Sequence, residues 1–240
     1  IFQNAYSLAT NTPMGVYNIM KRNNYYNSSS LVEVFRHLGF KTYWFSNQVV
    51  KYQLINNIAR EAERSLFSDD IRAATIGDNH DMALLPFIKE VIDSDLSTSS
   101  MIVVHTIGSH RLYDLRYPSE FKVFTPTCIN DNTLYYSVNE CVDAEKLGNS
   151  YDNSILYTDY FLDRLIDVLK DTNAILLYVS DHGESLGEHG VYAHSYPLET
   201  APIEQTHIPI VMWASDKFLE DEGNLDKFNN ARKKAAFNID

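Results

Sequence analysis

Two short apolar runs constrain this chain more than any other feature. Met101–His105 (MIVVH) and Ala174–Ser180 (AILLYVS) are strand-sized, and each runs straight into a polar cluster. The first continues as Thr106-Ile107-Gly108-Ser109-His110 and the second as Asp181-His182-Gly183-Glu184. Short runs rich in Val, Ile and Leu fit strands covered on both faces. Sheets of that kind carry helices on either side, and their ligands gather beyond the carboxyl ends of the strands.

The rest of the pattern agrees. Leu31–Leu38 has helical spacing, with Gly39 placed to end it. Lys41–Ser46 reads as a short aromatic strand, Ile55–Phe67 and Met82–Val91 as helices, the latter carrying Pro86 near its start. Tyr151–Lys170 is the longest expected helix, because Ile155, Phe161, Leu162, Leu165, Ile166 and Leu169 recur at three- and four-residue steps. Ile208–Ala214 is a further expected strand. Strands alternating with helices predict an α/β fold, a mainly parallel sheet with helices on both faces, in a single domain over residues 1–240.

The formal net charge of −12 argues against a nucleic-acid partner, which needs clustered Lys and Arg. No apolar run approaches the roughly 18 residues of a membrane span. Cys128 and Cys141 lie in a polar segment with Pro126, Asn130 and Asn139. A disulfide between them is expected, since a loop with few apolar residues gains most from a cross-link; two separate thiols are the alternative.

Chemistry concentrates in Ser180-Asp181-His182-Gly183-Glu184-Ser185, where a carboxylate and an imidazole adjoin at a strand end. Asp oxygen and His nitrogen both suit zinc, and Gly183 permits the tight turn that would aim both at one ion. His189 and His194 follow in a segment that also holds Gly187 and Gly190. His110, in a loop after Gly108-Ser109, is the better ligand candidate of the first cluster; His105 reads equally as a hydrogen-bonded structural residue, and His207 as structural. Thr10-Asn11-Thr12-Pro13 is a hydroxyl-bearing turn whose residue types need no function to explain them. Neither a G-x-S-x-G elbow nor a Walker-type loop occurs.

The block Tyr178–His194 (YVSDHGESLGEHGVYAH) resembles the signature of the phosphoethanolamine transferases that decorate lipid A and lipopolysaccharide core, a family that includes the mobile colistin-resistance enzymes and lies within the alkaline phosphatase and sulfatase superfamily. Val104–Pro118, Phe124–Cys128, Tyr151–Ser154 and Gln205–Pro209 match further blocks of that family in the same order. The resemblance implies an alkaline-phosphatase-like fold and a zinc-dependent transferase. By it, Thr12 falls on the attacking threonine that also touches zinc, and Asp181 and His182 on zinc ligands. His110 and His194 fall on a pair holding a second zinc or the substrate phosphate, Glu184 on a residue beside bound phosphoethanolamine, and Asn47 and Lys51 on a polar pair near the headgroup.

The implied reaction takes phosphoethanolamine from phosphatidylethanolamine onto Thr12 and passes it to lipid A or core at the membrane surface, with His105 or His207 available for proton transfer. The implied location is the periplasmic side of a bacterial inner membrane. The family's remaining glutamate ligand lies on a strand upstream of the threonine and is expected before Ile1, as are the membrane helices. The polar stretch after Ala214 is not expected to supply the family's closing helix, and one cysteine pair stands where relatives have several disulfides. A phosphoglycerol transferase, a sulfatase-like hydrolase or a non-catalytic metal-binding relative are the alternatives; a sulfatase would need Cys or Ser where Thr12 stands.

Overall fold

The computed structural model describes residues 1–21, 28–74, 80–94, 98–129, 141–233 and 237–239. It opens with β1 (Phe2–Ser7) and α1 (Thr12–Met20). The Asn11 side chain caps α1 by accepting from the Met14 amide, and Pro13 sits in its first turn, where no N–H is needed. Ser30 caps α2 (Leu31–His37) in the same way, and Gly39 at φ +85° lets the chain turn into β2 (Lys41–Ser46).

Helix α3 (Gln53–Ala59) stops earlier than its apolar spacing predicts. Residues expected to prolong it instead form β3 (Arg64–Leu66), which pairs with Tyr43, Trp44 and Phe45 of β2. Cross-strand pairing there overrides local helical spacing. α4 (Ser68–Ala74), a 3₁₀ turn at Asp81–Leu84, α5 (Leu85–Asp93) and β4 (Ser100–His105) follow. α6 (Ala144–Leu169) begins before the expected Tyr151, capped by the Asp143 side chain. Its buried stripe starts at Leu147, turns polar at Ser150, Asn153 and Ser154 and is apolar again at Tyr157, Phe161, Leu165 and Leu169, so the polar interruption hides the first turns from an apolar count. β5 (Ile175–Val179), the two-residue strands β6 (Ser185–Leu186) and β7 (Tyr192–Ala193), β8 (His207–Ala214), α7 (Asp216–Glu220), α8 (Asn224–Arg232) and β9 (Phe237–Ile239) complete the chain.

The strands form two principal sheets. One has the order β3-β2-β4 and is parallel throughout. The other has the order β5-β8-β1-β9; β8 opposes both neighbours, so β5, β1 and β9 run one way and β8 alone runs back. β6 and β7 pair as a separate small hairpin.

Alternation along β2 shows how helices come to cover both faces. Trp44 packs with Val16, Met20, Val32, Ile55 and Ile58 from α1, α2 and α3. Its neighbour Phe45 points the other way, into Ile71, Ile88, Phe161 and Leu165 from α4, α5 and α6. Burial of each such side chain contributes about 1.5–3 kcal/mol, and together they anchor the strand whose carboxyl end leads to the site. Among the described residues no helix is long and apolar enough to cross a membrane.

Candidate active site

Three strand ends bring chemistry together. After β1, the chain turns into α1 with Thr12 as its first residue, buried at 6% exposure. Its Oγ1 lies 3.3 Å from Nε2 of His182, a residue 170 positions further along the chain. The start of a helix exposes unpaired N–H groups and the positive end of the helix dipole, which favours anionic oxygen.

After β5, the turn at Asp181–Gly183 is held against that helix. The Ser7 hydroxyl donates to the Asp181 carbonyl at 2.6 Å, and the Ser180 hydroxyl to the His182 carbonyl at 2.7 Å. Two glycines make the approach possible. A Cβ on Gly15 of α1 would stand 2.4 Å from the Asp181 carbonyl oxygen, and one on Gly183 would stand 2.1 Å from that of Glu204. His182 Nδ1 lies 2.8 Å from the Gly183 carbonyl. A carbonyl only accepts, so the proton resides on Nδ1 and the Nε2 lone pair faces Thr12 and Asp181 Oδ2, the latter 3.7 Å away.

His194 follows β7. Its Nδ1 lies 2.6 Å from Glu184 Oε2, and Tyr113 donates its hydroxyl to the other Glu184 oxygen at 2.5 Å. Burial, then the Glu184 charge, push the Tyr113 phenol far above its ordinary pKa, which keeps it a donor. Both neighbours of His194 are left-handed, Ala193 at φ 66° and Ser195 at φ 78°. Such conformations cost of order 1–3 kcal/mol each and persist only where the surroundings impose them. Here Thr10 imposes them, accepting from the Ser195 amide at 2.7 Å and donating its hydroxyl to the Tyr196 carbonyl at 2.5 Å. The fully buried Gln205 side chain donates to Ser185 Oγ and the Ala193 carbonyl and accepts from the Tyr196 amide.

The result is a convergent donor set. One ligand atom each from His182, Glu184 and His194 all lie within 4.8 Å of one another. The His182 and His194 rings are 4.2 Å apart between centroids, with His110 5.6 Å from His194. Each of the three imidazoles turns Nδ1 to a carbonyl or carboxylate and so keeps Nε2 available. Imidazole nitrogens oriented by an outer hydrogen bond, with carboxylates beside them, fit a borderline-soft divalent cation such as zinc. Burial and then the Arg116 guanidinium hold the His110 pKa below the ordinary imidazole value, which preserves the neutral ligand form.

The other expected residues make the following contacts, with His105 within electrostatic reach of Asp181. Asn47 is almost fully buried, and its Nδ2 donates to Asp81 Oδ1 at 2.9 Å. Lys51 is exposed, with its ammonium 5.5 Å from the centroid of the Tyr52 ring. His105 lies at the end of β4 with Nδ1 3.0 Å from Ser46 Oγ, and His207 is exposed and stacked on Tyr6. Cys128 and Cys141 form the disulfide, with Cα atoms 5.8 Å apart.

Several supporting residues carried no chemical signal in the sequence. Asn153 accepts from the Val123 and Phe124 amides and donates to the Phe124 carbonyl, fastening the loop that follows the site. Asp114 accepts from the Tyr117 hydroxyl and the Ile129 amide. Arg116 donates to the carbonyls of His110 and Arg111 at 3.0 and 2.9 Å. All lie inside or beside the sequence blocks that carry the family resemblance, which was the one available pointer to them.

Comparison with known proteins agrees with this geometry. A family model described as Sulfatase matches residues 1–238. The chain is similar to phosphoethanolamine transferase EptA of Salmonella typhimurium, at 43% identity over 147 residues, which is 59% of this chain and 26% of that protein. Among solved structures it is similar to the C-terminal periplasmic domain of phosphoethanolamine transferase EptC from Campylobacter jejuni, at 34% identity and a TM-score of 0.80, covering 99% of this chain and 73% of that one. It is likewise similar to the soluble domain of lipooligosaccharide phosphoethanolamine transferase A from Neisseria meningitidis, at 29% identity and a TM-score of 0.83, covering 99% and 72%. The chain spans 26% of the length of the first curated relatives it matches. On a match that runs through nearly all of its residues, and on its likeness to these domains, the chain belongs to the sulfatase family, within its phosphoethanolamine transferase group.

Proposed function

We propose that this chain is the catalytic part of a zinc-dependent enzyme that moves phosphoethanolamine from phosphatidylethanolamine to a lipopolysaccharide acceptor, lipid A or core, on the periplasmic side of a bacterial inner membrane. The observation that carries the reading is the position of Thr12 Oγ1, 3.3 Å from His182 Nε2 at the start of α1, beside the His182, Glu184 and His194 donor set. The names of the similar proteins supply the phosphoethanolamine group and the lipooligosaccharide and lipid A acceptors.

In this reading Thr12, Asp181 and His182 hold zinc, and His110 and His194 hold a second zinc or the phosphoryl oxygens. Zinc at these donors supplies positive charge that lowers the pKa of a hydroxyl and offsets charge developing on a phosphoryl group. Thr12 oxygen attacks phosphorus, forming the threonine O–P bond as the P–O bond to diacylglycerol breaks. The threonine proton leaves to the departing diacylglycerol oxygen. The oxygen of an acceptor hydroxyl or protonated phosphate then attacks the same phosphorus, the threonine O–P bond breaks, and the acceptor's proton passes to the Thr12 oxygen. The Thr12 amide at the start of α1 would donate to a phosphoryl oxygen, and the Nε2 lone pairs of His110 and His194 would hold a second cation whose charge favours the more charged transition state. Glu184 keeps the His194 ring aligned, and the buried Tyr113 hydroxyl keeps Glu184 aligned in turn.

Intact-protein mass spectrometry tests this. The zinc-loaded full-length protein is incubated with phosphatidylethanolamine and then mapped by peptides. A gain of one phosphoethanolamine on Thr12, lost in Thr12→Ala, is the expected result. A folded, zinc-bound protein that acquires no adduct would overturn the reading.

A further inference from the structure

Asp81 stands outside the convergent donor set, yet it is built as though the site depended on it. It opens the 3₁₀ turn Asp81–Leu84, is 5% exposed, and meets three donors. Oδ1 accepts from Asn47 Nδ2 and from the Ile107 amide, both at 2.9 Å; Oδ2 accepts from the Gly108 amide, also at 2.9 Å. Two successive backbone N–H groups therefore grip the two oxygens of one carboxylate. That fixes both position and direction of the chain where it leaves β4.

Two residues later comes His110. Its carbonyl and that of Arg111 accept from the Arg116 guanidinium, whose charge also favours the ionised Asp81 carboxylate. The His110 backbone is thus clamped before and after, by Asp81 and by Arg116, and its ring is left 5.6 Å from that of His194. Nothing weaker than a carboxylate would serve. An asparagine side chain has one accepting oxygen, and its NH₂ would face the Gly108 N–H. Burying a carboxylate is costly, and loss of solvent raises the pKa of Asp81 against the pull of its three hydrogen bonds. A loop with no task beyond closing the fold could be anchored more cheaply by neutral groups.

We infer that Asp81, with Asn47 as its partner, is a positioning residue for the transfer reaction: it sets the 107–110 loop so that His110 meets the phosphoryl group. The inference rests on the transfer reading above. It also gives Asn47 a task other than contact with the headgroup, consistent with its burial.

A double-mutant cycle on the full-length protein tests it. The rate of phosphoethanolamine loading of Thr12 is measured in the wild type, Asp81→Asn, His110→Ala and the double variant. Asp81→Asn is expected to slow loading about 10- to 100-fold, the usual cost of disturbing a group that orients a ligand, with less than about a threefold change in KM for phosphatidylethanolamine. In the His110→Ala background it should slow loading no further, because both changes remove one function. An undiminished effect in that background, or an unchanged rate in Asp81→Asn, overturns the inference. If Asp81→Asn does not fold, Asn47→Ala takes its place in the same cycle. Amide hydrogen exchange supplies a readout without substrate: Ile107 and Gly108 should be protected in the wild type and lose protection in either variant. Rapid exchange at both in the wild type overturns the clamp. Failure of the wild type to load Thr12 at all would count against the transfer reading, whereas wild-type loading with an unaffected Asp81 variant counts against this inference alone.

Discussion

Glu184 binds His194 and Tyr113 at once: Oε2 lies 2.6 Å from His194 Nδ1, and Oε1 accepts the Tyr113 hydroxyl at 2.5 Å. The carboxylate has no freedom left to reorient, and the His194 ring inherits that rigidity. Glu184→Gln replaces one accepting oxygen with NH₂, so one of the two partners loses its acceptor. We expect a fall in transfer rate of about 10- to 100-fold together with reduced zinc content. Steady-state kinetics and metal analysis of the purified variant check both, and normal values for each would remove Glu184 from the supporting role.

Gly15 offers a test in which the ordinary sign reverses. Replacing glycine by alanine within a helix usually stabilises by about 0.5–1 kcal/mol. In α1 the new methyl group would stand 2.4 Å from the Asp181 carbonyl oxygen, which is backbone and cannot swing away. Gly15→Ala should therefore destabilise the chain by about 1–3 kcal/mol and push the Asp181–His182 turn away from Thr12, with loss of zinc. Denaturant unfolding and metal analysis read the two effects separately. Gly183→Ala, facing the Glu204 carbonyl at 2.1 Å, should be at least as damaging.

The Cys128–Cys141 bond joins residues 13 apart in sequence. Loop-closure entropy assigns a cross-link of that span about 3 kcal/mol. Cys128→Ser should lower stability by an amount of that order. The loss in transfer rate should be smaller, because Asp114, Ser150 and Asn153 also tie down residues 117–129. Thermal unfolding beside a rate measurement decides whether the two effects separate.

Stability should also depend on pH through His105. Burial lowers its pKa from 6.5 to about 4, against an opposing pull from Asp181. The unfolded chain therefore binds a proton at a higher pH than the folded one does. Stability from this group is complete above about pH 6.5 and is lost as pH falls from there towards 4. The difference in unfolding free energy between wild type and His105→Asn should shrink across that window. A difference that is flat from pH 7 to 4 would mean that His105 titrates alike in both states.

Local physics made much of this protein legible in its sequence. Lys41–Ser46 reads as a strand from its aromatic run and is β2, the helix before it ends at His37 with Gly39 turning the chain, and the polar residues at Asp181–Glu184 follow the strand β5 as expected. These features depend on spacing, caps and turns, which act over a few residues and are written into neighbouring side chains. The Cys128–Cys141 bond was legible for a similar reason, because a short loop with few apolar residues gains most from a cross-link.

Tertiary packing decided the rest. No periodicity shows that Thr12 will meet His182 across 170 residues, that residues 64–66 will pair with β2 instead of extending a helix, or that β8 will run against its neighbours. Nothing in the sequence singles out Asp81 or ties it to Asn47. Only when β2, β4 and the turn after α4 pack side by side do they become one buried hydrogen-bonded unit beneath the His110 loop. A sequence records which groups can donate and accept; which of them meet is decided when helices cover both faces of the sheet and exclude water from the space between.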